Sequence, residues 1–132
     1  MSCRQPSGTY LAPFFMSETS GNAWSWLTGG PTREPAALGH DAFEETTDYA
    51  TTAPGYISES AGHATIVGDQ RERVLLGAFI AAPGAADAIG EAVLAIKTRI
   101  PIDALADTIH PFPTTVRVMG GLFAAAARRG GG

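Results

Sequence analysis

The sequence contains one cysteine, Cys3, among its 132 residues. A single cysteine excludes an internal disulfide and any cysteine pair that would bind a metal or exchange electrons within the chain. Basic residues are also few, with 9 Lys and Arg against 13 Asp and Glu, and the one adjacent pair is Arg128-Arg129. Because binding to phosphates needs several cations on one face, we expect no nucleic acid partner.

Long apolar runs are missing as well. No segment approaches the ~20 apolar residues that a membrane-spanning helix requires. The amino terminus lacks a basic stretch followed by a long apolar one, so the sequence predicts no signal peptide. We therefore expect a cytoplasmic protein of at most one domain that does not bind a membrane.

The clearest local patterns lie between residues 73 and 114. From Val74 to Ile80 both sides of an extended chain would be apolar, which predicts a strand buried in the middle of a sheet. Pro83 and Gly84 end this strand. Over residues 85–100 the apolar positions recur at helical spacing, with acids early and bases late, which predicts a helix.

Two further helices are predicted after it. The first is short, with Asp103 as its N-cap, and runs through Ile109 until the prolines of the stiff turn 110–114 end it. The second follows that turn. Its second half is expected to fray, because Gly120 and Gly121 lie inside it and glycine is a poor helix former.

The segment before the buried strand predicts more strands. Residues 41–52 are expected to form an edge strand whose acids Glu44, Glu45 and Asp48 face solvent. A hairpin is predicted from Tyr56–Glu59 and His63–Val67. The fold class is therefore α+β, an antiparallel meander with helices packed on one face.

Residues 1–40 have no clear periodicity, apart from a brief helix predicted over 36–38. One interpretation is a divergent or poorly ordered start, the trace of a truncated or frame-shifted gene. The other is that Trp24 and Trp26 pack onto an apolar face. We expect the domain to span residues 41–128, with a flexible tail at 129–132.

Residues 77–97 and 103–114 resemble a known family. The likeness extends over about residues 55–117. It is to the C-terminal dimerisation domain of the FAD- and NAD(P)-dependent pyridine nucleotide-disulfide oxidoreductases, which include dihydrolipoamide dehydrogenase, glutathione reductase and mercuric reductase. Gly30-Pro31-Thr32 corresponds to a G-x-T element of the family. The resemblance implies an apolar two-fold interface, to which we assign Ile89, Val93, Ile96, Phe112 and Thr114.

The family motif H-x-H-P-T corresponds to residues 110–114 here. In many members its second histidine is the acid/base for the partner subunit's redox thiols, and a glutamate five residues later orients it. Those positions hold Phe112 and Arg117, so the resemblance implies no catalytic residue. His110 is a weak substitute; otherwise we expect it to bond Thr114 across the turn while Phe112 packs. His110 and Pro111 would face a flavin only where a partner supplies FAD.

Other parts of an oxidoreductase are missing from the sequence. It has no G-x-G-x-x-G motif for FAD or NAD(P), so we expect no cofactor bound by this chain alone. We also expect no metal site, because the spacing of His40-Asp41 and His63 fits none.

Three functions remain open. The first is a non-catalytic dimerisation domain of a disulfide-oxidoreductase-like flavoprotein, present as a fragment or as a separated module. The second is a stand-alone interaction protein that has lost redox function, and the third is a subunit of an oxidoreductase assembled in trans. Its partner would be a second copy of itself or a flavoprotein chain.

Overall fold

The computed structural model describes residues 39–130 in full and, ahead of them, the backbone of four strands. These are β1 (Cys3–Arg4), β2 (Tyr10–Leu11), β3 (Phe15–Thr19) and β4 (Ala23–Thr28). Gly30-Pro31-Thr32 and the helix predicted over 36–38 lie outside the described residues, and so do the side chains of Trp24 and Trp26.

Three more strands follow: β5 (Ala42–Asp48), β6 (His63–Asp69) and β7 (Val74–Ala82). With β3 and β4 they form an antiparallel sheet in the order β3-β4-β7-β6-β5. The predicted meander corresponds to β5, β6 and β7, whereas β4 pairs with β7 out of chain order. The boundary predicted at residue 40 stays a prediction, although β3 and β4 lie in the same sheet as the later strands.

The central place of β7 is confirmed, since it lies between β4 and β6. All of its residues are buried except Phe79, which is half-buried.

Strand β5 lies at one edge of the sheet. Its residues alternate between covered and exposed positions, as expected of an edge strand with one face on the core. It ends at Asp48, whose carboxylate accepts a hydrogen bond from the Ala50 N–H and starts a 3-10 turn at Tyr49–Thr51. The predicted edge strand is therefore confirmed but shorter.

The predicted strand Tyr56–Glu59 is wrong, because residues Ala53–Ser58 form helix α1. The Thr52 hydroxyl caps this helix by accepting from the Gly55 N–H, and Pro54 suits its first turn. Glu59 adopts the left-handed conformation that closes it. The hairpin partner of β6 is therefore β5.

Helix α2 (Ala85–Thr98) follows β7 directly and confirms the predicted helix. Its buried face is mostly alanine, which lets the helix lie close against the sheet. Arg99 takes the left-handed conformation and ends the helix, so Ile100 lies beyond it.

Helix α3 (Ile102–Asp107) is shorter than predicted, and its N-cap is Pro101, not Asp103. The Asp103 carboxylate instead accepts a hydrogen bond from the Arg73 guanidinium at 2.8 Å. Ile109 lies outside the helix with 92% of its surface exposed.

Helix α4 (Thr115–Arg128) runs through both of its glycines without the predicted fraying. The Arg73 guanidinium donates to the carbonyls of Ala126 and Ala127, which satisfies backbone acceptors at the helix end. Arg129, predicted to lie in a flexible tail, bonds Glu45 and stacks over the Phe43 ring. Gly131 and Gly132 are not among the described residues.

The core lies between one face of the sheet and helices α2, α3 and α4, which confirms the α+β class. The largest of its fully buried side chains are Phe123, Ile66, Leu75, Ile80, Ile96, Ile102 and Met119.

Candidate functional site

The turn between α3 and α4 carries the positions that the sequence singled out. Pro111, Phe112 and Pro113 are exposed, and 72% of the surface of Phe112 is accessible to solvent. The Thr114 hydroxyl donates to the Pro111 carbonyl at 2.6 Å and accepts from the Arg117 N–H at 3.2 Å. Thr114 therefore closes the turn and caps α4 at once.

His110 points inward from this turn. Its Nε2 lies 2.9 and 3.0 Å from the two carboxylate oxygens of Glu91 on α2, and its ring leans on Phe123 at a centroid distance of 6.2 Å. Because an ionised carboxylate can only accept, Nε2 carries the proton of this hydrogen bond. The expectation that His110 bonds Thr114 while Phe112 packs is wrong: His110 bonds Glu91, and the Phe112 ring is exposed.

Gly120 makes room for this histidine. A Cβ atom at Gly120 would come within 2.5 Å of Nδ1 of His110. The imidazole thus links α2 to α4 through contacts on both helices. In the sequence, a glycine inside a helical pattern is the one signal of such close packing, although by helix propensity alone it predicts fraying.

Phe112 and Arg117 stand where the resemblance places the acid/base pair. Both line a cleft of about 390 Å³ between β5 and α4. A phenyl ring has no titratable proton, and a guanidinium stays protonated, so this pair cannot perform general acid/base catalysis. Within residues 39–130, the Arg117 side chain makes no hydrogen bond or ion pair.

The interface assignment needs correction at two positions. Ile89 and Ile96 have 3% and 1% of their surface exposed, because both pack in the chain's own core. A second subunit therefore could not contact these two side chains. Val93 is half-buried against that core, and Phe112 and Thr114 keep some exposed surface.

A second polar cluster surrounds Asp69 at the end of β6. Its Oδ2 lies 2.7 Å from Nδ1 of His40, and its Oδ1 accepts from the N–H groups of Arg71 and Glu72. Burial acts to raise the pKa of the Asp69 carboxyl. The hydrogen bonds from Glu72, His40 and Arg71 outweigh it and bring the pKa below its ordinary value.

Sequence reasoning missed this cluster, because it paired His40 with Asp41 and His63. His63 starts β6 and Asp69 ends it, and the His63 ring stacks on Phe79 at 4.9 Å. Ligand atoms of His40, Asp69 and Glu72 lie within 4.8 Å of one another, as in a metal site. However, Glu72 also bonds Arg99, and both Asp69 oxygens have donors. The hydrogen bonds to Asp69 and the ion pair between Glu72 and Arg99 are sufficient to hold these three side chains together.

The sheets in the part of the chain that the structure describes differ from those of dinucleotide-binding folds. Binding of FAD or NAD(P) uses a Gly-rich turn inside a parallel βαβ unit. Every strand pairing in the described sheets is antiparallel.

The described helices include none with the length and apolar character needed to cross a bilayer. The cytoplasmic location stays a prediction.

Comparison with known proteins agrees with these features. The family model for the pyridine nucleotide-disulphide oxidoreductase dimerisation domain matches residues 37–121. Dihydrolipoyl dehydrogenase from Chlamydia muridarum is 34% identical over 62 residues, which is 47% of this chain and 13% of that protein. The enzyme of the same name from Thermus scotoductus is 43% identical over 49 residues, which is 37% of this chain and 11% of that protein.

Solved structures show the same fold. A pyridine nucleotide-disulfide family oxidoreductase from Enterococcus faecalis superposes with a TM-score of 0.74 at 15% identity, over 94% of this chain and 30% of that one. This chain therefore spans only a minor part of the length of the relatives that it matches. Members of the family depend on FAD and NAD(P). The family match covers more than half of the chain, and the chain belongs to the pyridine nucleotide-disulphide oxidoreductase family as its dimerisation domain.

Proposed function

We propose that this chain acts by pairing, with a second copy of itself or with a flavoprotein chain, and that it is not catalytic alone. The observation that carries the proposal is the exposed apolar turn: Ile109 and Phe112 have 92% and 72% of their surface in solvent. Large apolar side chains exposed on one turn favour contact of that turn with another protein. Val93 and Thr114 are the further contact residues that we propose.

In such a pair the turn would face the flavin of the other subunit, with Pro111 on its exposed side. His110 would support that turn from within, because its ring is buried against α2 and α4. This role requires a partner that supplies FAD. The residues at positions 112 and 117 favour a structural contribution over proton transfer.

A second candidate function is a stand-alone interaction protein that has lost redox chemistry. The replacement of both acid/base positions by Phe112 and Arg117 is the observation that favours it. An oxidoreductase assembled in trans is distinguished from both by activity. Adding a flavoprotein chain would restore NAD(P)H-dependent disulfide reduction only in that case.

The test is the molar mass of the chain by light scattering after size exclusion, across a range of dilutions. We expect a dimer that persists on dilution, since obligate interfaces typically bury more than about 2,000 Å². Ile109→Gln should shift the equilibrium to monomer. Ile57→Gln makes the same change at another exposed isoleucine, on α1, and should leave the dimer intact. A wild-type monomer would refute pairing with a second copy, and equal effects of the two variants would refute the turn as the contact surface.

A further inference from the structure

A hollow at the end of α1 is separate from the exposed turn. It is lined by the 3-10 turn, by α1 and by the loop 59–61, and its volume is about 590 Å³. No residue of the turn 110–114 is among its described lining residues. The pairing proposed at that turn therefore does not account for this hollow.

Two large side chains at the hollow are in solvent. Tyr56 and Ile57 have 82% and 67% of their surface exposed, and both line the hollow. The Tyr56 hydroxyl makes no hydrogen bond within residues 39–130. Tyrosine is one of the residue types enriched where proteins meet, and the face of its ring attracts cations. The hollow thus offers an aromatic ring beside an aliphatic side chain.

The hollow also carries one negative charge. Among its described lining residues only Glu59 is charged, and the Glu59 carboxylate has no hydrogen bond or ion pair within residues 39–130. The backbone of Glu59 has a φ of 49°, and its N–H donates to the carbonyls of Gly55 and Tyr56. Glycine is the usual residue in the left-handed conformation at a helix end, because a side chain there costs free energy. The fold therefore keeps an unpaired carboxylate at the hollow where glycine would be more stable.

We propose that this hollow receives an arginine side chain of a partner protein. The guanidinium lies over the Tyr56 ring and donates two parallel hydrogen bonds to the Glu59 carboxylate. The apolar stem of the arginine packs on Ile57, as the stems of long charged side chains do on apolar surface. Lysine fits less well, because an ammonium group lacks the paired donors.

The exposure of the lining favours a protein partner over a free small molecule. Small-molecule sites usually enclose most of the surface of their ligand, whereas Tyr56, Ile57 and Glu59 are all exposed. A side chain that the rest of a partner protein holds in place does not need such enclosure. The excess of acids over bases in this chain, 13 against 9, also favours a basic segment as the partner.

The test is a titration of the isotope-labelled chain with a Gly-Arg-Gly tripeptide whose two ends are blocked, followed by amide chemical shifts. The tripeptide should shift the amides of Tyr56, Ile57 and Glu59, and added salt should weaken its binding. The same peptide with citrulline is neutral and close in shape, and it should bind at least about threefold more weakly. Methylguanidinium has the charge without the stem and should bind about tenfold more weakly.

Four variants separate the contributions to binding. Glu59→Gln and Tyr56→Leu should each weaken tripeptide binding about threefold. Glu44→Gln makes the same change at another exposed acid, on β5, and should have no effect. Glu59→Gly should bind as weakly as Glu59→Gln while its urea midpoint rises, because glycine relieves the left-handed conformation. Its loss of binding therefore could not come from unfolding.

Two results would overturn the proposal outright: shifts scattered over the surface, and equal effects of Glu59→Gln and Glu44→Gln. Methylguanidinium binding as tightly as the tripeptide would make the hollow a site for a free cation and would refute the docking of a side chain.

Ile109→Gln and Ile57→Gln keep this contact separate from the dimer. Tripeptide binding should be equal in wild type and Ile109→Gln, whatever their oligomeric states. Ile57→Gln should weaken tripeptide binding and leave the dimer intact. Loss of tripeptide binding in Ile109→Gln would place the peptide at the exposed turn and refute the site on α1.

Discussion

The contact between Gly120 and His110 can be tested with two neighbouring glycines of one helix. Gly120→Ala and Gly121→Ala make the same change in the interior of α4, and each should gain about 1 kcal/mol of helix propensity. A Cβ at Gly121 meets no atom within 4 Å, whereas one at Gly120 lies 2.5 Å from Nδ1 of His110 and 3.0 Å from two ring carbons. The two variants therefore differ only in what the added methyl group meets.

The ring cannot move away from Gly120 at low cost. Its Nε2 is held by both oxygens of Glu91, and its side chain is only 3% exposed. Relieving the overlap should cost about 2–4 kcal/mol in overpacking and weakened hydrogen bonding. After the gain in helix propensity, Gly120→Ala should lower the free energy of unfolding by about 1–3 kcal/mol. Gly121→Ala should raise it by about 1 kcal/mol.

Urea unfolding followed by circular dichroism, at one protein concentration for all variants, measures these differences. His110→Ala supplies the decisive cycle, because without the ring Gly120→Ala should no longer be destabilising. Equal stabilisation by the two glycine replacements in the wild-type background would show that His110 does not pack on Gly120, and the reasoning would fail.

Three more predictions concern other parts of the molecule. The lowered pKa of Asp69 means that its contribution to stability is complete above the unfolded value of about 3.9 and is lost as the pH falls through the folded value. In urea unfolding at pH 2–6, roughly the window of the carboxyl titration, Asp69→Asn should make the free energy of unfolding fall less steeply with decreasing pH. The same pH dependence in the variant and the wild type would contradict this prediction. Arg73→Gln should expose the last turn of α4 to hydrogen exchange, since the carbonyls of Ala126 and Ala127 lose their donor; unchanged protection there would argue against this cap. Phe112→His should not create NADPH-dependent disulfide reduction even when a flavoprotein partner is added, because the orienting glutamate is also missing, and measurable activity would count against the structural role of the turn.

The elements that the sequence predicted correctly have apolar residues at a spacing that only one type of secondary structure can bury. Apolar residues on both sides of β7 can be covered only in the middle of a sheet, and the helical spacing over α2 buries one face. The edge position predicted for β5 is confirmed too, although its alternation is too weak to fix a register. The resemblance over residues 77–97 and 103–114 located the family, and the match over residues 37–121 confirms it.

The failures occurred where short segments depend on their ends or on distant contacts. Helix α1 has only six residues, and its capping by Thr52 and its closure at Glu59 outweigh the weak strand pattern of Tyr56 and Ile57. In α4, the two glycines predicted fraying of the second half, but Arg73 lies 53 residues away from the Ala126 carbonyl that it stabilises. No local pattern contains such a contact.

At the candidate site, the sequence alone determined the chemistry that is missing, because the identities of Phe112 and Arg117 exclude an acid/base pair whatever the fold. Only the tertiary structure decided where the remaining groups point. It turns His110 inward onto Glu91, 19 residues away in the chain, and it leaves Phe112 and Arg117 together at an open cleft. The physical reason is packing: the space at Gly120 admits the imidazole between two helices, and the cap at Thr114 aims the exposed turn away from the core.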